Sequence, residues 1–207
     1  MPQGTNGGSR GPNYGAGGGG GFTVAGTSAD PSNNPGPGGA GINLSITGTT
    51  TGYAGGGGGG AAGPYRGSFT GGTASNGGGA GADADTTIAS FQAENATINA
   101  GGGGGGGGGS HPTEPVFPDM PTGARYGGQG GSGIVAIRYQ IGTTNPGAKA
   151  TGGVISFYDD MFIHVFNSSG TFATGPTWDA ATVEYVVGAG GGGGNASVVG
   201  ACFPIPP

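Results

Sequence analysis

The sequence predicts a mostly irregular, all-β chain. Its main part is a bundle of extended rods of the polyglycine II type, with a small antiparallel β-unit at the C-terminal side and almost no helix. Three observations carry this reading. Glycine runs span 17–21, 55–60, 101–109 and 190–194. No segment sustains a hydrophobic period of 3.6 residues. Beyond residue 150, short β-branched and aromatic stretches alternate with turn residues, the pattern of small strands.

The glycine runs need an explanation, because glycine loses more backbone entropy on ordering than any other residue and buries no side chain. Of 207 residues, 59 are glycine and 15 proline, a proportion that normally signals low complexity. The charge pattern is not that of a disordered chain, however. Only 7% of residues are charged and the net charge is −5, so the chain does not repel itself. A neutral chain poor in side chains packs through its backbone N–H and C=O groups. Collagen is excluded, since there is no strict Gly-X-Y period.

A recurring phrase leads into the runs: a Thr/Ile/Val-rich stretch, an alanine, then glycines. Residues 42–54, 86–91 with 96–100, and 181–189 carry the full phrase, and Tyr14-Gly-Ala16 its end. The composition predicts a strand passing into a rod. The phrase varies in length, so the array is a quasi-repeat. A polyglycine II rod advances roughly 3.1 Å per residue with three residues per turn, so the longest run makes a rod of roughly 28 Å. Only pure glycine accepts neighbours on every side. The run 101–109 is therefore expected at the centre of the bundle, with Gly101, Gly103, Gly105, Gly107 and Gly109 as rod core. Prolines follow at 112, 115, 118 and 121, one per turn of such a helix, and predict a rigid ridge or spur.

A strand over 133–139 then closes the array, and 143–149 reads as a linker or turn. Strands are expected at 154–157, 161–166 and 182–187, with turns at 158–160 and 167–170. The expected domains are a glycine-rich array over 1–133, a closing strand and linker over 134–149, and a small β-unit over 150–207 that runs into a short glycine run. The β-unit is too small to bury much on its own, so it needs the array or another subunit.

Catalytic chemistry finds little support. His164 alternates with Phe162 and Phe166 and so shares their face, as a packed, hydrogen-bonded histidine would. Asp83 and Asp85 alternate like calcium ligands, but turn capping is the simpler role. Any polyglycine run satisfies a phosphate-loop pattern trivially, and the strand–loop–long helix context is missing. No enzyme activity, cofactor or metal site is expected. The five basic residues, Arg10, Arg66, Arg125, Arg138 and Lys149, are scattered, which argues against nucleic acid. No apolar run reaches membrane-spanning length. The opening Met1-Pro-Gln-Gly-Thr-Asn6 has no basic-then-apolar leader, so a surface role would require assembly into a particle or processing from a precursor. Cys202, the single cysteine, has no partner for an internal disulfide.

The suggestive residues are aromatics set beside glycines, because aromatic side chains on loops over a rigid scaffold are good anchors for sugars or proteins. Tyr14, Tyr53, Tyr65, Phe69, Phe117 and Tyr126 are the candidate contacts. The alternative is that they supply the bundle's apolar cover.

Four stretches carry a family resemblance. Gly130-Gly-Ser-Gly-Ile-Val-Ala-Ile-Arg-Tyr139 is similar to the ending of glycine-rich domains in tailed-bacteriophage tail and fibre proteins. Thr151-Gly-Gly-Val-Ile-Ser-Phe-Tyr158, Ile163-His-Val-Phe-Asn-Ser-Ser-Gly-Thr-Phe172 and Val183-Glu-Tyr-Val-Val-Gly-Ala-Gly190 resemble the unit that opens such arrays. Looser similarity extends to fibre-tip adhesins whose polyglycine rods form a sandwich that displays receptor-binding loops. The order departs from the family's, since here an array comes first and a new β-unit follows.

The resemblance implies a structural virion protein, a tail-fibre or adhesin component that attaches to the host through loops. Its expected partners are other virion proteins, host-surface polysaccharide or outer-surface protein, and further copies of itself. The alternatives are a decoration or joining protein of the virion, or a non-phage glycine-rich structural or ice-binding protein.

Overall fold

The computed structural model describes residues 4–12, 15–32, 34–63, 69–84, 92–110, 126–141 and 147–194. Within them the chain has no helix, and its strands are short. Most of residues 4–133 form extended rods held to one another by backbone hydrogen bonds. In chain order these are rod 1 (4–11), rod 2 (15–21), rod 3 (23–30), rod 4 (34–41), rod 5 (54–61), rod 6 (69–75), rod 7 (77–84), rod 8 (92–97), rod 9 (102–108) and rod 10 (126–133). Rod 11 (189–194) joins them from the far end of the chain.

The bonds recur every third residue, as a helix with three residues per turn requires. Gly58 N donates to Gly79 O at 3.0 Å and Ala61 N to Ala82 O at 2.9 Å. On another side of rod 5, Gly56 N donates to Gly39 O and Gly59 N to Gly36 O. On a third side, Gly19 N and Ala16 N donate to Gly57 O and Gly60 O. Rod 9 donates to rod 5 through Gly103 N to Gly55 O and Gly106 N to Gly58 O, both 2.9 Å. Successive residues of one rod therefore address different neighbours, and successive turns return to the same one.

This packing explains the absence of side chains. A Cβ built on Gly58 would fall inside the Gly72 carbonyl, and one on Gly105 inside the Ala80 carbonyl. Residues 55–61 are buried without exception, whereas 101, 103 and 106 are half-buried. The expectation that the 101–109 run is the centre of the bundle is therefore corrected: rod 5 is the more enclosed, and rod 9 lies beside it. Gly101 is not rod core. At φ 65° it turns the chain from residues 98–100 into rod 9, a left-handed conformation that glycine adopts without steric cost.

The strand lead-ins are also corrected in part. Residues 42–53 form a hairpin of β1 (Ile42–Leu44) and β2 (Thr51–Tyr53), not one strand running into rod 5. Residues 92–97 are a rod and 98–100 a turn. Residues 86–91 lie outside the described residues. Two short parallel strands, β3 (Ala62–Gly63) and β4 (Gly109–Ser110), extend rods 5 and 9.

The remaining strands are β5 (Ile134–Gln140), β6 (Ala150–Thr151), β7 (Val154–Tyr158), β8 (Met161–Phe166), β9 (Ala173–Thr174) and β10 (Val183–Gly188). The main sheet has the order β10-β5-β8-β7, while β6 pairs with β9. The closing strand and the β-unit are thus not separate bodies. Strand β5 sits in the middle of the sheet, and β10 runs on into rod 11, which returns to the bundle. β7 and β8 are joined at Asp159 and Asp160, both at positive φ (49° and 57°), as a two-residue hairpin turn demands.

One face of this sheet seals the end of the bundle. Ile134, Ala136 and Ile163 are buried, and Ile134 packs with Tyr53 of β2 and Ala100. At the rim, the Arg138 guanidinium joins Glu184, its cross-strand neighbour, at 2.6 Å. It also donates to Ser45 O at 3.2 Å, tying the sheet to the hairpin.

Candidate functional site

The rods give the molecule two unlike ends. At the sheet end the chain reverses tightly: at 22–23, where Phe22 N donates to Ala54 O, at 76–77, and at 98–101. Asn76 (φ 49°) and Gly77 (φ 84°) make the second of these turns. The β1–β2 hairpin lies at this end too; the outer end is the opposite one. The described residues that flank 13–14, 33, 64–68, 85–91 and 111–125 lie together there. Gly11 N donates to Gly15 O, Asp30 N to Asn34 O, and Ala16 N to Gly60 O. Ala62 and Gly63 pair with Gly109 and Ser110, Phe69 bridges Ala84, and Ala93 N donates to Tyr126 O.

The candidate contact residues divide accordingly. Tyr126 stands at the outer end of rod 10 and is 64% exposed. Phe69 is half-buried at the start of rod 6. Tyr14, Tyr65 and Phe117 lie outside the described residues, as do the proline ridge at 112–121, Asp85 and Cys202. Tyr53 is a correction. It is 3% exposed at the opposite end, in the cluster with Ala100 and Ile134, because β2 turns that side chain under the sheet. It contributes core, not contact surface. Gly103, Gly105 and Gly107 lie along rod 9, and Gly109 begins β4.

Turn chemistry shapes the outer end. Asp30 accepts from the N–H groups of Ser32 (2.8 Å) and Asn34 (2.9 Å) and from Asn34 Nδ2 (2.8 Å). The Asn34 side chain foremost, then its backbone N–H, holds the Asp30 carboxyl below the usual carboxylate value of 3.8. Asp83 accepts from Gly71 N at 2.6 Å, the capping role. Among the described residues no group of His, Cys, Asp or Glu is placed to hold a metal ion.

The sheet's other face holds a buried polar network that sequence reasoning saw only in part. His164 is fully buried, stacked on Tyr139 with ring centroids 5.6 Å apart. Phe172 and Trp178 cover the pair edge-on, with Trp178 4.9 Å from Tyr139 and Phe172 5.1 Å from His164. His164 Nδ1 lies 2.7 Å from Gly152 O. A carbonyl only accepts, so Nδ1 carries the proton and Nε2 is the acceptor. Lys149 is also buried, and its Nζ pairs with the half-exposed Asp179 carboxylate. The alternation of 162, 164 and 166 placed His164 on this face. Nothing in the sequence marked Tyr139, Phe172 and Trp178 as its lid, since they are distant in the chain. Among the described residues no buried side-chain polar atom of this network lacks a hydrogen-bond partner, so its geometry is that of a core.

Apolar side chains lie bare on the two edge strands. Tyr185 and Val187 on β10 are 72% and 66% exposed, and Val154 and Phe157 on β7 are 68% and 57% exposed. Compared with known proteins, the chain matches no family model, no curated protein and no solved structure.

Proposed function

We propose that this chain is a structural component of a bacteriophage virion, a tail-fibre or adhesin protein that attaches to a host surface through loops on a glycine-rod platform. The observation that carries this reading is the polarity of the bundle. Three tight turns, the β1–β2 hairpin and the sheet occupy one end, and the rod ends flanking 13–14, 33, 64–68, 85–91 and 111–125 meet at the other. Backbone-bonded rods make a stiff base, and loops fixed on a rigid scaffold are where recognition residues concentrate. Tyr126, exposed at that end, is an aromatic anchor of the kind that binds sugar faces or protein surfaces.

The test is binding of the purified chain to susceptible host cells and to a glycan array, beside Tyr126→Ala and a variant with residues 111–125 replaced by a short Gly-Ser linker. Host binding that falls at least tenfold in the replacement variant, with unchanged thermal stability, supports the reading. Absence of host binding alongside retained binding to a virion protein would sink it. That outcome favours the second reading, a decoration or joining protein, for which the bare apolar residues of β10 and β7 supply a docking surface.

A further inference from the structure

Among the described residues, one position beside both rod 5 and rod 9 is empty. Around rod 5 the neighbours run in an unbroken arc of rods 2, 4, 6, 7 and 9. Each consecutive pair is hydrogen-bonded: Gly36 N to Ala16 O, Gly38 N to Thr73 O, Gly81 N to Gly72 O and Gly79 N to Gly103 O. Around rod 9 the arc is rods 5, 7, 8, 10 and 11. Its pairs are joined by Gly58 N to Gly79 O, Glu94 N to Ala80 O, Ala96 N to Gln129 O and Gly191 N to Gly131 O.

Rods with three residues per turn offer hydrogen-bonding groups on every side and pack hexagonally. Two adjacent rods in such packing share two common neighbours. Rods 5 and 9 share rod 7. Their second shared position, walled by rods 2 and 11, holds nothing among the described residues.

The trough left there is lined by glycine. Its floor is Gly57, Gly60, Gly103 and Gly106, and its rims are Gly19 and Gly192. Gly57 and Gly60 are buried, yet the N–H of neither has an acceptor among the described residues. Gly57 N lies between rods 2 and 9, 3.3 Å from a Cβ built on Gly19 and 3.1 Å from one built on Gly103. Buried backbone donors are almost always paired, so these two stand out. They are three residues apart, roughly 9.3 Å at 3.1 Å per residue, the spacing at which a polyglycine II rod presents successive carbonyls on one side.

Rod 11 supplies an independent observation. A Cβ on Gly192 meets nothing within 4 Å, and on Gly190 and Gly193 nothing nearer than 3.5 Å. Elsewhere, outward positions of peripheral rods carry side chains, as Thr5, Asn6, Ser9 and Arg10 do on rod 1 and Gln92, Glu94 and Asn95 on rod 8. On rod 11, Gly191 and Gly194 are required by the carbonyls of Gly102 and Gly105, but Gly190, Gly192 and Gly193 are glycine without their own neighbours requiring it.

We infer that this trough docks one further extended, glycine-rich polypeptide segment carried by another molecule. The long glycine runs of this chain already form rods 2, 5, 9 and 11, so none is left to fill it. The occupant lays carbonyl oxygens against the Gly57 and Gly60 N–H groups, and any side chain facing the trough would collide with the glycine walls. The inference stands apart from host attachment, which concerns the outer end.

The test titrates the full chain with a peptide of seven glycines flanked by lysines, and with the same peptide carrying alanines in place of the glycines. Binding is read by calorimetry and by the amide NMR signals of Gly57 and Gly60. The glycine peptide is expected to bind one to one and to slow exchange of those two amides at least tenfold, while the alanine peptide does not bind. Gly192→Val, which has open space for its side chain, is expected to keep its Tm and lose the binding. Failure of the glycine peptide to bind at millimolar concentration overturns the inference, as does equal binding by the alanine peptide or by folded Gly192→Val. A check that needs no variant is exchange in the free protein: Gly57 and Gly60 amides must exchange faster than those of Gly58 and Gly59, and equal protection also overturns it.

Discussion

The phenolic oxygen of Tyr139 lies 3.2 Å from His164 Nε2, and this contact completes the proton inventory of the sheet's covered face. The same oxygen accepts the backbone N–H groups of Lys149 and Ala150, each at 3.1 Å, so its own proton goes to the histidine. Tyr139→Phe keeps the ring and removes the acceptor. Both amides and Nε2 are then left unpaired in a buried site, at about 1–3 kcal/mol for each orphaned group. A substantially lower denaturant midpoint with unchanged slope is expected. A midpoint within error of the parent protein would show that water reaches the site.

Glycine is required in this chain where a carbonyl occupies the Cβ position, and not elsewhere. Gly58→Ala forces its methyl group into the Gly72 carbonyl. Separating rods 5 and 6 costs about 3 kcal/mol or more. Gly192→Ala meets open space and removes unfolded-state entropy, for a gain of about 0.4–1 kcal/mol. Thermal melts of the two variants should move in opposite directions. A similar loss in both would mean that the glycines act through chain flexibility, not through rod contact.

Much of this architecture was legible because a polyglycine run admits few ordered states. With no side chains, only backbone bonding can hold it, and three residues per turn follows. The hairpin at 154–166 was equally readable, since its alternation and the Asp159-Asp160 turn are local. What stayed hidden depends on contacts between distant segments. Rod 5 is more enclosed than rod 9 although its glycine run is shorter, because enclosure depends on how distant rods are placed around each run, not on run length. Strand β5 looked like the end of an array, yet it lies mid-sheet because β10 returns beside it some 45 residues later. The contact surface was the least legible part. Adjacency to glycine marked both Tyr53 and Tyr126, but only the end of the bundle at which each falls separates core from surface.

At the outer end, acid should loosen the turn at Asp30. Its carboxyl is held below 3.8, chiefly by the Asn34 side chain. A carboxyl depressed in the folded state adds stability that is present above its unfolded value and is lost as pH falls through the folded one. The Asp30–Asn34 turn is therefore expected to stay intact at neutral pH and to open only below pH 3.8. Asn34→Ala should raise the Asp30 titration midpoint toward 3.8, read from carboxyl carbon chemical shifts. An unchanged midpoint would assign the depression to the backbone donors alone.

The two tyrosines give the last prediction, because the same substitution tests opposite roles. Tyr53 is 3% exposed beneath the sheet, so Tyr53→Ala leaves a cavity between β2, Ala100 and Ile134. It should destabilise the fold by about 3–5 kcal/mol and release the hairpin from the sheet. Tyr126, 64% exposed at the far end, carries little packing, so Tyr126→Ala should change stability by no more than about 0.5 kcal/mol. If the outer end is the attachment surface, the stable variant is the one that loses affinity for host cells. Unfolding curves and cell-binding isotherms on both variants separate the effects. A large stability loss at Tyr126, or a neutral result at Tyr53, would reverse the assignment of core and surface.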